Sequence, residues 1–310
     1  MSTKPNIIVV LGPTASGKTR LAAHLAYHLN SEVISADSRQ VYKHMDIGTG
    51  KDYADYIVHN KTIPCHLIDL VEPGSKYHLY QYQQDFRSCF DQLQKTGKTP
   101  ILCGGTGLYL QAVLSDFQFS SIPKNESLVE SLQHQTHDEL MNYFHQMPTT
   151  PYTNIADLST HKRCLRAIEI NTFLLISPVD FSISTPIQPL IIGIHPSREV
   201  RRARIEARLK NRLSNGLIEE VESLLTRGVT HDELRYYGLE YKFVSLYLCG
   251  ELTKIELEEQ LQIAIQQFAK RQMTYFRKME RDGFSIHWLD GNQSSDELLQ
   301  QSLQLIKSNL

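Results

Sequence analysis

The 310-residue chain contains no CxxC pair. Its five cysteines, Cys65, Cys89, Cys103, Cys164 and Cys249, are scattered, which argues against zinc and a disulfide framework and points to a reducing, cytoplasmic compartment. Cys89 and Cys103 lie in apolar contexts and read as small core residues. Neither charge is in excess: 32 Lys and Arg stand against 34 Asp and Glu, for a formal net charge of −2. With no global basic field, contact with nucleic acid has to come from local patches. No apolar run approaches the roughly 20 residues of a membrane span. The opening MSTKPNIIVVLG has too short an apolar stretch, and no cleavage-like site after it, to read as a signal peptide. The 13 histidines show no HExxH or paired-ligand spacing and read as surface or core residues. The single tryptophan, Trp288, reads as a packing residue. There is no internal repeat, and a composition of 41% hydrophobic and 21% charged residues excludes disorder as the dominant state.

What is present is an alternation of strand and helix patterns. Asn6–Leu11 (NIIVVL) is a continuous apolar run rich in β-branched residues, the pattern of a buried parallel strand. Leu21, Leu25 and Leu29 then recur at helical spacing. Glu32–Ala36 and His66–Leu70 read as a second and third strand, Tyr77–Gly97 as a helix, and Pro100–Cys103 as a fourth strand. This order predicts a parallel α/β sheet with helices on both faces. After Asp116 the strand pattern disappears, and 117–186 reads as a mainly helical insertion domain. Pro189–His195 (PLIIGIH) resumes the sheet, and Ser285–Leu289 is a late strand. The expected division is a core of residues 1–116 and 187–310 interrupted by residues 117–186.

Residues 12–19 (GPTASGKT) match G-x-x-x-x-G-K-[ST], with a strand before and a helix after. Glycines let backbone N–H groups curl around an anion, and the helix N-terminus adds favourable potential. Lys18 supplies a point charge to phosphate oxygens, and the Thr19 hydroxyl can reach a Mg²⁺ ion bridging them. The motif predicts a P-loop binding a di- or triphosphate and does not say which. Ligands of open α/β sheets bind beyond the carboxyl ends of the strands, which places Asp37, after the second strand, near the loop. A carboxylate there can hold Mg²⁺ through water, act as a general base, or simply cap a turn. Asp69, in HLIDL, is a weaker candidate of Walker-B type.

With these blocks the chain resembles the tRNA dimethylallyltransferase (isopentenyl-tRNA transferase) family. The matching segments are GPTASGKT at 12–19, SADSRQVY at 35–42, MDIGT at 45–49 and HLIDLVEP at 66–73. GGTGLYL at 104–110, RCLRAIEI at 163–170, RIEARLKNRLSNGL at 204–217 and KRQMTYFR at 270–277 follow in family order. The sequence departs from the family pattern at Leu239, which follows the glycine where the family usually has a Gly-Tyr pair and then a polar residue, and at MDIGTGKD, where the family often has MDIGTAKP. The resemblance implies transfer of a five-carbon group from dimethylallyl diphosphate to N6 of the adenine at tRNA position 37, beside the anticodon. It further implies that Gly12, Pro13, Thr14, Ala15, Ser16, Gly17, Lys18 and Thr19 cradle the diphosphate, with Thr19 on Mg²⁺. Asp37 would be the general base and Arg208 would pair with the diphosphate. Asp37, Ser38, Arg39 and Gln40, together with Lys162, Arg163, Cys164, Leu165 and Arg166, would face the tRNA anticodon stem-loop. The expected protein is a cytoplasmic monomer without membrane contact.

The charge pattern agrees with an RNA partner. Residues 198–212 carry seven cations against two acids, with Arg201, Arg204, Arg208 and Arg212 in one helical stripe beside Ile205, Leu209 and Leu213. Residues 270–281 carry five cations against one acid, interleaved with Tyr275 and Phe276. The insertion has four cations against seven acids, and three of the four lie within 162–166. Solvated helix faces would look the same. A P-loop small-molecule or nucleotide kinase, a prenyltransferase acting on free adenylate, and a non-enzymatic RNA-binding P-loop switch share parts of this pattern and remain alternatives at this level.

Overall fold

The computed structural model describes residues 4–115, 119, 122–177 and 186–309. The chain divides into two compact units, Met1–Ser115 with Ile187–Leu310, and Asp116–Pro186. The expected boundary residue 117 and the acidic Asp180 of the insertion lie outside the described residues.

The first unit begins with strand β1 (Ile7–Leu11), helix α1 (Lys18–His28), strand β2 (Val33–Ser35), a short hairpin of β3 (Ile57–Val58) and β4 (Lys61–Thr62), and β5 (Cys65–His66). Helix α2 (Leu79–Lys95), strand β6 (Ile101–Gly104) and helix α3 (Gly107–Leu114) follow. The second unit contributes helices α4 (Glu126–Leu132), α5 (His137–Gln146) and α6 (His161–Ile176). The first unit then resumes with β7 (Pro189–His195), α7 (Arg198–Ser214), α8 (Leu217–Thr226), α9 (His231–Tyr237), α10 (Leu239–Leu248), α11 (Lys254–Arg281), β8 (Ile286–Asp290) and α12 (Ser295–Asn309).

Six strands form one sheet in the order β5-β2-β6-β1-β7-β8, and every pairing in it is parallel. All five residues of β1 are buried, because both faces of a central parallel strand are covered. On one face Ile7, Val9 and Leu11 join a core with Phe86, Phe90, Leu209 and Leu261. On the other, Ile8 and Val10 pack with Leu21, Leu25 and Leu299. Alternate residues of the strand thus feed two separate cores, as its period of two demands. Trp288 packs on this framework beside Phe276, and its indole N–H donates to Glu280 at 2.8 Å.

The strand expected at His66–Leu70 is cut short. Only Cys65–His66 pair in the sheet, and Leu67 and Asp69 take left-handed backbone angles of 59° and 54° in φ. The reason lies in a distant residue. Lys51, whose side chain has no solvent exposure, donates from Nζ to Asp69, to Asp46 at 2.8 Å and to the Tyr42 carbonyl at 2.6 Å. The Tyr53 hydroxyl donates to the same Asp69 carboxylate at 2.6 Å. Asp69 is therefore the counter-ion of a buried lysine, and the Walker-B reading is corrected.

In the second unit Leu140, Phe144, Cys164, Leu165 and Ile168 form a small core. Cys164 and Leu165, expected to face the tRNA, thus turn their side chains inward. Arg166 donates to the Ile122 and Pro123 carbonyls at 2.5 and 3.3 Å and faces Glu169 at 3.4 Å, so its guanidinium is occupied in tying α6 to the segment before α4. Lys162 and Arg163 remain exposed, and Arg163 lies 3.0 Å from Asp157.

Candidate active site

The P-loop leaves β1 at Leu11 and enters α1 through Gly17, whose φ of 86° is a left-handed geometry that favours glycine. Lys18 follows at the helix N-terminus and is buried deeply enough that desolvation pulls its pKa below the ordinary lysine value, against the opposing pull of Cys103 and Asp37. Burial likewise pushes the Cys103 thiol, on the adjacent β6, up to about 12.

A cleft of about 550 Å³ opens over this end of the sheet, lined by Thr14, Lys18 and Thr19 of the P-loop and by Asp37, Ser38, Arg39 and Gln40 after β2. The Asp37 carboxylate accepts the Arg39 N–H at 2.9 Å, and the Ser38 N–H donates to the Thr106 hydroxyl at 3.2 Å. Gln40 accepts from the Ser35 hydroxyl at 3.1 Å and donates to the Gly50 carbonyl at 3.0 Å. Asp37 is therefore held by its own turn, an Asx arrangement that orients the carboxylate.

Helix α7 sets its arginine stripe beside the same loop. Ile205, Leu209 and Leu213 are buried on the core face, and this turns Arg208 and Arg212 into the cleft. The Arg208 guanidinium donates to the Thr14 hydroxyl. Burial, followed by the charge of Arg212, lowers its pKa to about 10. Arg212 stands 3.5 Å from Glu240 and 3.9 Å from Asp52. The second half of the stripe thus lines the cleft: Arg208 lies where its expected pairing with a diphosphate requires it, and Arg212 faces carboxylates. A second cleft, of about 400 Å³, shares Lys18, Thr19, Asp52 and Arg208 with the first and adds Asp55, Arg204 and Asp296. The polyphosphate-type residues are thus reachable from two clefts.

Two residues that sequence reasoning passed over hold this site in shape. Gln272 of α11 is buried, accepts the Thr14 N–H at 2.8 Å and donates to the Gly105 carbonyl at 2.9 Å, so it ties the P-loop to the glycine-rich turn after β6. Glu220 of α8 accepts the N–H groups of Asp46, Ile47 and Gly48 at 2.7, 2.7 and 3.0 Å and the Tyr241 hydroxyl at 2.7 Å. A Cβ at Gly48 would stand 2.5 Å from the Tyr241 ring, so only glycine allows the MDIGT segment to close on it. Apart from the Tyr241 contact, the partners are separated by about 170 to 260 positions in sequence, and no local pattern announces them.

Glu220→Ala leaves those four donors without their acceptor and is expected to cost about 2–4 kcal/mol, a drop in Tm of roughly 3–6 °C for a chain of this length. Thermal unfolding checks this. Gln40, which leans on the Gly50 carbonyl, should shift with the segment.

The family model described as IPP transferase matches residues 40–279, and that described as isopentenyl transferase matches residues 5–63. The chain is 49% identical to tRNA dimethylallyltransferase 1 of Parabacteroides distasonis over 98% of both chains. It is 50% identical to tRNA dimethylallyltransferase 1 of Azobacteroides pseudotrichonymphae over 92% of both. Its fold is similar to the crystal structure of the tRNA isopentenylpyrophosphate transferase of Bacillus halodurans, with a TM-score of 0.70 at 28% identity over 99% of this chain and 98% of that one. The P-loop core, the acidic turn after β2 and these likenesses over nearly the whole length lead to one conclusion: the chain belongs to the tRNA dimethylallyltransferase family, enzymes that transfer a prenyl group.

Proposed function

We propose that this chain transfers the dimethylallyl group of dimethylallyl diphosphate to N6 of the adenosine at tRNA position 37, releasing diphosphate. The single observation that carries this reading is the meeting of Lys18, Thr19, Asp37 and Arg208 in one cleft. An exocyclic adenine amine is a weak nucleophile because its lone pair is delocalised into the ring. The N6 lone pair attacks the allylic carbon, and the carbon–oxygen bond to the diphosphate breaks with its electron pair leaving on oxygen. The N6 proton passes to the Asp37 carboxylate. Lys18, Arg208 and the backbone N–H groups of residues 12–19 stabilise the charge that develops on the diphosphate. The allylic carbon gathers positive charge as the bond breaks, so the cleft must also keep water from the donor.

The donor set on this cleft suits a hard cation. The Thr19 hydroxyl and the Asp37 carboxylate are both oxygen donors, and among the described residues no cluster of three or more His, Cys, Asp or Glu forms a dedicated metal cage. Such a site fits Mg²⁺, which Thr19 would hold. When bound it would neutralise diphosphate charge.

In this reading Asp37, Ser38, Arg39 and Gln40 face the tRNA, and Lys162 and Arg163 add phosphate contacts. The chain is a P-loop core of residues 1–116 and 187–310 with an insertion domain at 117–186. It works as a monomer in the cytoplasm, where tRNA is found. Among the described residues no helix is long and apolar enough to cross a membrane.

Three incubations with Mg²⁺ test the reading. Labelled dimethylallyl diphosphate is offered to unmodified tRNA in one and to AMP in another, and labelled ATP is offered with tRNA in the third. Label on an adenosine beside the anticodon is the expected result. Label on AMP makes the enzyme a free-nucleotide prenyltransferase, and ATP consumption without either product makes it a kinase.

A further inference from the structure

The mouth of the cleft carries a feature that neither the diphosphate chemistry nor proton transfer uses. Tyr236 and Phe268 line it and are 48% and 39% exposed, unusually open for large aromatic side chains. Each is paired with a guanidinium: Arg39 lies 5.1 Å from the centre of the Tyr236 ring, and Arg271 lies 5.9 Å from that of Phe268.

The backbone commits both rings to this place. Tyr237 is the buried anchor: its hydroxyl accepts the Gly74 N–H at 2.5 Å and its ring meets Tyr42 edge-on at 4.7 Å. Its neighbour Tyr236 is left facing solvent at the end of α9. Gly238 follows with φ 143° and ψ −179°, a conformation essentially closed to other residues, and it separates α9 from α10 at that point. On α11, Ile265, Phe268, Gln272 and Tyr275 follow a 3-4-3 spacing and all line the cleft. Gln272 binds the P-loop and Tyr275 donates to Gln111 at 2.7 Å, while Phe268, one turn above Gln272, is solvent-exposed. Seven cationic side chains line the cleft against three acidic ones, a surface complementary to a polyanion.

We propose that Tyr236 and Phe268 are stacking platforms for the two unpaired bases that flank the target adenosine, with Arg39 and Arg271 completing each stack. This deepens the reading given under Proposed function and rests on it. An adenine that enters the cleft leaves its neighbours in the anticodon loop without a stacking partner. Exposed aromatic faces beside guanidinium groups replace that partner without reading sequence. The platforms therefore favour any single-stranded loop that presents three successive bases, and reject a paired helix.

The test uses an anticodon stem-loop carrying 2-aminopurine on the 5′ or the 3′ side of the target adenosine, with wild-type protein, Tyr236→Leu, Tyr236→Phe and Phe268→Leu. Leucine keeps apolar bulk and removes the π face. Each leucine variant is expected to weaken stem-loop binding about tenfold and to lose the 2-aminopurine quench at one flanking position, with the KM for dimethylallyl diphosphate unchanged. Tyr236→Phe should behave as wild type. Wild-type affinity and quench in both leucine variants would overturn the platforms while leaving the transferase reading intact. Absence of any transfer to the stem-loop by wild-type protein would overturn that reading, and the platforms with it.

Discussion

Replacing Asp37 with asparagine is expected to lower prenyl transfer by roughly 10²–10⁴-fold, the usual weight of a positioned general base. The substitution is informative because the local geometry survives it. The Asp37 carboxylate accepts the Arg39 N–H at 2.9 Å, and an asparagine side-chain oxygen accepts the same bond. The turn after β2 therefore keeps its shape, while the negative charge and the ability to take a proton are both lost. Single-turnover transfer to an anticodon stem-loop, measured beside equilibrium binding of dimethylallyl diphosphate, separates the two roles open to this residue. Lost transfer with intact donor binding marks the base. Lost donor binding marks a partner of the metal, and transfer at the wild-type rate refutes both.

The second large effect is expected at Lys18. Lys18→Met removes the ammonium from the centre of the P-loop and should weaken donor binding roughly 10- to 150-fold, equivalent to about 1.5–3 kcal/mol for a charge-assisted hydrogen bond. Loss of leaving-group stabilisation should slow the transfer step by a further 10²–10³, roughly. Stability should move the other way. Desolvation holds the Lys18 pKa below its unfolded value of 10.5, so the folded protein binds fewer protons than the unfolded chain between those two values. Stability associated with this group is fully present above the unfolded pKa and is lost as pH falls through the folded one. Wild-type Tm is thus expected to rise with pH through that window, and Lys18→Met to lack this rise and to melt no lower than wild type at neutral pH. A Tm that falls sharply in Lys18→Met would show that the ammonium stabilises the free fold, contrary to its burial. In activity the same shift places the alkaline loss of donor kcat/KM below the pH of an ordinary lysine. Because the charge of Asp37 raises the Lys18 pKa, residual donor binding by Asp37→Asn should weaken at lower pH than in wild type.

Both effects follow from groups whose positions depend on a chemically sparse framework. Lys18 opens the helix that follows β1 and Asp37 lies in the turn that follows β2, two strands of one parallel sheet with β6 between them. Gln272 and Glu220 then hold the loops that carry them. A mutation at either of those two residues is expected to act through geometry, not through loss of a group that meets the substrate.

Much of this was open to reading from the sequence because it is local. β1 was legible as a run of buried β-branched residues, the P-loop as a fixed spacing of glycines and lysine, and α2 as a helix that ends before Gly97 at φ 73°. The period of two in β1 and the 3-4-4 spacing in α7 are properties of backbone geometry that hold wherever the chain folds. The α/β order and the parallel sheet followed from them.

The tertiary structure decided which of several equivalent local patterns acquired which task. HLIDL reads as a strand with an acidic residue near its end, yet a buried Lys51 draws Asp69 into an ion pair and the strand ends at His66. The segment 162–166 reads as a basic cluster on one helical face, yet the small core of the second unit takes Cys164 and Leu165, and Arg166 goes to the carbonyls of Ile122 and Pro123. The spacing of the α7 arginines reads equally as a solvated stripe, and it is the packing of Ile205 and Leu209 that turns Arg208 and Arg212 into a cleft. In each case a polar group removed from water must find a partner, and the partner comes from a part of the chain that no local spacing connects to it. The sequence by itself determined the repeating elements and the anion-binding loop, since these need only the next few residues. The tertiary structure decided the counter-ions, the props of the loops and the direction of each charged stripe, since these depend on what the fold places opposite.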